Sequence, residues 1–149
     1  MRLEDVEPDD SRLQADVFPV LVQLRQHLSA ESLAAIYAAG HPQGLRFLAA
    51  YDDQRCVGVA GWRSSPPRPS TASSTSTTSS RPRTRGVAAW ARRGRGVGAA
   101  LLTELTDRAR AAGCSVLDLD SGVQRAGAHR FYFREHMRVS SFHFSRQLT

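Results

Sequence analysis

The chain has 149 residues, 41% of them hydrophobic, which is room for one packed domain and excludes wholesale disorder. No apolar run approaches the roughly 20 residues needed to cross a bilayer, and Met1-Arg2-Leu3-Glu4-Asp5 is no signal peptide, so a cytoplasmic protein is expected. The net charge is +6 and every basic residue is arginine, which ordinarily suggests a polyanionic partner. That surplus is uneven. Residues 64–92 hold five arginines and no acid, leaving only +1 on the rest of the chain, which weighs against nucleic acid as a partner. Cys56 and Cys114 stand far apart with no CxxC pair, so neither a disulfide framework nor a zinc site is indicated.

Taken in chain order, apolar residues at Val17, Val20, Leu21, Leu24 and Leu28 predict a helix over 16–28, with Pro19 in or before its first turn. Ser29-Ala30-Glu31-Ser32 offers caps for a second helix through Ala39, with Gly40 as its stop. Leu45 to Tyr51 and Cys56 to Trp62 flank Asp52-Asp53-Gln54 and read as an antiparallel hairpin. Residues 64–80 then break the pattern: 12 of the 17 are Ser or Thr. With Arg81-Pro82-Arg83-Thr84-Arg85-Gly86 following, the stretch reads as an irregular, low-complexity linker. Patterning returns with a helix over 98–112 bearing Leu101, Leu102, Leu105 and Ala109 and stopped by Gly113. A strand over 115–120, a helix over 126–136 and a final strand over 138–147 complete a single mixed α/β domain.

The chemistry-bearing motif is Arg93-Gly94-Arg95-Gly96-Val97-Gly98-Ala99, which opens the helix near Gly98. Glycines let backbone approach a ligand closely, and the amides of a helix's first turn suit a phosphate or pyrophosphate. The same residues also suit an ordinary glycine-rich helix start. No Gly-Lys-Ser/Thr follows, which excludes a Walker loop, and no credible strand precedes, which argues against a dinucleotide-binding βαβ unit.

Arg93-x-x-Gly96-x-Gly98 followed by Ala-Ala-Leu-Leu resembles the pyrophosphate loop of the GCN5-related N-acetyltransferase (GNAT) superfamily. Ala128-His129-Arg130-Phe131-Tyr132 is similar to that family's late helix, and Val116 to Asp120 lies between the two as its fifth strand does. The resemblance implies a mostly antiparallel sheet flanked by helices and acetyl-coenzyme A as co-substrate. It also implies a small-molecule or protein amine as acceptor, no metal, and room for a homodimer. It places residues 93–99 on the pyrophosphate and makes Tyr132 the general acid for the departing thiolate, although Phe131, Tyr132 and Phe133 form an aromatic cluster of which one or two must simply be core. Two positions depart from the family. Arg125 stands where an Asn is common, and His136-Met137 replaces a Gly-Phe pair, so a differently made helix end is expected.

In the family, the interval 64–92 should hold the fourth strand, which a Ser/Thr tract cannot supply. Reading Ser and Thr codons from their third base turns residues 73–80 into an apolar and Tyr/Asp-type pattern like that strand. A double frameshift, entering near Ser64 and returning before Arg93, is therefore expected in the coding DNA, with a genuine linker as the other reading. The fourth strand is then replaced by an irregular segment and transfer is impaired. Two other functions are weighed: a catalytically inactive acetyltransferase-like interaction module, and a nucleic-acid-binding protein using the arginines from Arg81 to Arg95. His129, His136 and His143 give no metal-binding spacing. Asp118, Asp120 and Cys114 read as strand-end and packing residues.

Overall fold

The structure, a computed structural model, describes residues 1–23, 25–65, 83–90, 96–142 and 144–148. Its frame is the expected hairpin, β2 (Leu45–Asp52) and β3 (Arg55–Ser65), turning through Asp53 in the left-handed region at φ +55°, which Asp tolerates. β2 is buried on both faces, which is why it reads as a continuous apolar run. Phe47, Ala49 and Tyr51 enter one core cluster; Leu48 and Ala50 enter the other.

Three more strands complete a five-stranded sheet ordered β1-β2-β3-β4-β5: β1 (Arg2–Val6), β4 (Arg83–Trp90) and β5 (Val116–Leu119). All pairs are antiparallel except β4 with β5. β1 was not legible in the sequence because only Val6 of its five residues is buried. β4 corrects the reading of residues 64–92 as irregular. Ser64 and Ser65 extend β3, residues 83–90 pair with β3 and β5, and residues 66–82, with the frame-decoded 73–80, lie outside the described residues. The physical reason is the neighbouring backbone: two flanking strands supply a ladder that outweighs the weak strand propensity of Arg-Thr-Arg-Gly.

On one face lie α1 (Phe18–Leu21) and α2 (Ala30–Gly40), burying Val20, Leu33 and Tyr37 against the sheet beside Val17 of the preceding turn. The Tyr37 hydroxyl donates to the Val6 carbonyl at 2.6 Å, tying α2 to β1. The first helix differs from expectation: a π-helical turn, Leu13–Val17, precedes α1, and the regular helix ends at Leu21. Pro19 has no N–H to give the preceding turn, so the bonding widens there, with the Phe18 amide reaching the Leu13 carbonyl. Leu24 lies outside the described residues. α2 begins as expected on Ser29, whose side chain accepts from the Ser32 amide at 3.1 Å. Gly40 is its last residue rather than its stop; the chain runs on through a 3-10 turn, His41–Gln43, to Gly44 at φ +87°.

The opposite face carries α3 (Val97–Ala111), which buries Val97, Leu101 and Leu105 against Leu48, Ala50, Val57 and Ala60. Leu102 is only half-buried. α3 closes at Gly113, φ +71°, with the Cys114 amide on Ala109 O and the Gly113 amide on Arg110 O, a Schellman motif. After β5 comes α4 (Ala126–Arg134). It ends with the same pair of bonds, Met137 to Tyr132 O and His136 to Phe133 O, and His136 takes φ +60°. The differently made end expected from His136-Met137 is thus corrected: the histidine adopts the glycine conformation. The final strand is corrected too. Residues 138–142 and 144–148 carry no strand among the described residues, despite their alternating pattern.

Candidate active site

β4 and β5 stay in register from Arg83 opposite Val116 to Gly86 opposite Leu119. Beyond that point β4 continues to Trp90 against β3, whereas β5 stops. The β4–β5 ladder therefore ends short of the carboxyl end of β4; β4 leads on to α3 and β5 to α4. Ligands of open α/β sheets are received at such ends.

Gly96 is the N-cap of α3, in the left-handed region at φ +69°. A Cβ built there would meet no atom of the described residues within 4 Å, so among these the space beside Gly96 is open. The Gly96 carbonyl accepts from the Ala100 amide at 2.9 Å, but its missing side chain leaves the amides of Val97, Gly98 and Ala99 uncapped from that position. They stand at the positive end of a 15-residue helix. Open space, a left-handed glycine and outward amides fit a pyrophosphate. Gly98 shows the opposite: a Cβ there would lie 3.1 Å from Cζ of Phe131. The first turn of α3 is laid on a ring of α4, so the glycine loop and the tyrosine helix share one junction. Arg93, Gly94 and Arg95 lie outside the described residues, and the Val97 side chain belongs to the core.

Tyr132 is 8% exposed, and its ring meets that of Phe131 edge-on at 5.4 Å. Burial pushes its phenol pKa above the ordinary value, with Arg125 opposing. A phenol held protonated in this way can give a proton and does not lose it to solvent at neutral pH. Of the three aromatic residues, Tyr132 is buried, Phe131 half-buried and Phe133 57% exposed, in line with one or two of them being core.

A sequence model described as the acetyltransferase (GNAT) family matches residues 12–136. The chain belongs to this family. It is 39% identical over 56 residues to the aminoalkylphosphonate N-acetyltransferase of Salmonella typhimurium, a stretch of 38% of this chain and 36% of that protein. The chain thus spans about a third of that relative's length. Among solved structures, a putative acetyltransferase from Agrobacterium tumefaciens matches with TM-score 0.77 at 22% identity, covering 99% of this chain and 100% of that one. An aminoglycoside N-acetyltransferase in complex with CoA matches with TM-score 0.76 at 14% identity, covering 98% and 93%. At those identities the likeness establishes the GNAT fold.

The remaining polar candidates lie at different places in the fold. His129 is half-buried on α4, His136 is exposed in the helix cap, and His143 lies outside the described residues. No group of three or more metal-binding side chains occurs among the described residues. Asp118 is half-buried, Asp120 exposed and Cys114 half-buried. Arg125, standing where the family often has Asn, is the N-cap of α4 and makes no side-chain cap bond. What sequence reasoning missed is a cleft of about 680 Å³ between the π-helical turn, α1 and the hairpin, lined by Asp16, Gln23, Asp53 and Cys56 among others. At its wall the Tyr51 hydroxyl donates to Asp16 at 2.8 Å, and burial pushes the Cys56 thiol up to about 11. No single motif joins residues 16 and 51, which the fold alone brings together. Among the described helices, none is long and apolar enough to cross a membrane.

Proposed function

We propose that this chain is an acetyl-coenzyme A-dependent N-acetyltransferase acting on a primary amine. The observation that carries the reading is the contact of Gly98 with Phe131, which sets the uncapped amides of α3 beside the helix bearing Tyr132. In this reading those amides, with the loop from Arg93, hold the pyrophosphate, and the end of the β4–β5 ladder admits the acyl arm. A deprotonated amine attacks the thioester carbonyl, forming the C–N bond and breaking C–S. Tyr132 delivers its proton to the departing thiolate, and the proton shed by the nitrogen as the amide forms passes to solvent, from which the phenol is reprotonated. A small-molecule or protein amine fits equally; the relative's name supports a primary amine as the acceptor class. Transfer is weak, because β4 carries arginines and no carboxylate, whereas the family's fourth strand often supplies acidic residues to the amine.

The test is acetyl-coenzyme A turnover with a panel of primary amines on this polypeptide and on Tyr132→Phe. Slow transfer is expected from the parent chain. In the variant kcat falls by about a hundredfold or more, with coenzyme A affinity unchanged, since the phenylalanine keeps the packed ring. A variant that turns over at the parent's rate overturns the role of Tyr132. A parent chain with no transfer above background leaves the inactive interaction module as the reading.

A further inference from the structure

Two side-chain donors on one loop, Ser121 and Arg125, have no hydrogen-bond or ion-pair partner among the described residues. The loop runs from the end of β5, past the last rung of its ladder with β4, to the start of α4. The Arg125 amide closes it on the Gly122 carbonyl at 3.0 Å. Ser121 lies near its start, and its Oγ is shut off from solvent without a hydrogen bond. A buried hydroxyl left unmet in this way costs stability unless a ligand meets it.

Arg125 ends the loop as the N-cap of α4, half-buried and without a side-chain cap bond. A cation there opposes the positive end of the helix dipole, so the helix gains nothing from it. Tyr132 lies seven residues on, two turns along the same stripe. Helical side chains lean towards the N-terminus, which brings the phenol towards Arg125. The arginine's charge is felt at the phenol, where it opposes the effect of burial. On the elements that meet here, the other titratable side chains include Asp118 and Asp120 at the end of β5 and His129 on α4; the first two turns of α3 carry none.

We propose that Ser121 and Arg125 receive the sulfur of coenzyme A as it leaves, the guanidinium standing against the thiolate charge and the hydroxyl donating to it. The inference rests on the acetyl-transfer reading and adds the groups that hold the negative charge until Tyr132 quenches it. As the C–N bond forms and the C–S bond breaks, the C–S electron pair passes to sulfur. The thiolate then takes the Tyr132 proton and departs as the free thiol, and the phenolate regains its proton from solvent. Charge on sulfur develops only as the bond breaks, so the two donors act on kcat more than on binding of the thioester. Asn, common at position 125 in the family, brings hydrogen bonds and no charge.

Calorimetric titration of coenzyme A, and of desulfo-coenzyme A, which lacks the sulfur, into the full chain at pH 7 and pH 9 tests it. A site that favours the thiolate lowers the thiol's pKa in the complex, so coenzyme A binding strengthens as pH rises. Coenzyme A should bind about threefold or more tighter at pH 9, a gain the desulfo compound does not share. Arg125→Gln and Ser121→Ala should each diminish that gain, and Arg125→Lys, which keeps the charge, should retain most of it. A chain that binds neither compound removes the acetyl-transfer reading and this proposal with it. A chain that binds both with the same pH dependence overturns the proposal alone, as does a gain undiminished in Arg125→Gln or in Ser121→Ala.

Discussion

His136 is the residue at which sequence and conformation most clearly disagree. It holds φ +60° to close α4, a position that costs a non-glycine residue about 1 kcal/mol, and its side chain is exposed. His136→Gly should relieve that cost, raising the melting temperature by roughly 2–4 °C. A thermal melt checks it, and an unchanged or lowered midpoint would show that the imidazole contributes more than the backbone loses. Glycine at C′ is the expected solution, yet the two hydrogen bonds of the motif hold the chain in place without it. The residue before Tyr132 is equally informative. Phe131 was legible as part of an aromatic run, but its role as the floor under Gly98 was not, because a contact between two helices leaves no local pattern in either.

Between elements, Arg108 does more than a helix-surface arginine usually does. Its guanidinium donates to Asp5 of β1 at 2.7 Å and to Glu104 at 2.8 Å, and sits 5.8 Å from the ring of Trp62 on β3. One side chain of α3 thus reaches two strands. Because it is partly exposed, its loss should cost only about 1 kcal/mol; Arg108→Ala measured by urea unfolding should lower the midpoint without changing the slope. Elements with their own signal were legible: α2 from its serine cap, α3 from its apolar stripe and glycine stop, and the hairpin from two apolar runs. Elements that exist because of a neighbour were not. β1 buries a single residue, and β4 is a strand because β3 and β5 flank it. Residues 138–142 and 144–148 have the opposite history, a strand-like sequence that pairs with no strand among the described residues.

At the scale of the molecule, buried groups that must remain neutral set its alkaline limit. Burial raises the pKa of Tyr37 and Tyr132; burial and then the bond to Asp16 raise that of Tyr51; burial takes Cys56 to about 11 from 9.0. Each is higher in the folded chain than in the unfolded one, so each contributes stability that is complete below its unfolded value and lost as pH rises towards the folded value. The melting temperature should therefore start to fall above about pH 9, where Cys56 enters its window, and drop further above about pH 10 as the tyrosines follow. Cys56→Ala should remove the first part of the decline and leave the second. The same scale recasts the basic charge. The backbone at Arg83 and Arg85 belongs to a strand between β3 and β5, so part of the arginine-rich stretch is built into the sheet.

In the proposed function, α3 opens onto a coenzyme A pyrophosphate beside α4. Calorimetric titration of coenzyme A into the parent chain and into Gly96→Ala tests it most directly. A methyl group at Gly96 would occupy the space that is open beside it among the described residues, and strain a left-handed residue by about 1 kcal/mol. The expected result is one-to-one binding by the parent chain, weakened by about tenfold or more in the variant while the circular dichroism spectrum is retained. A parent chain that takes up no coenzyme A, or a variant that binds it equally well, would contradict the account.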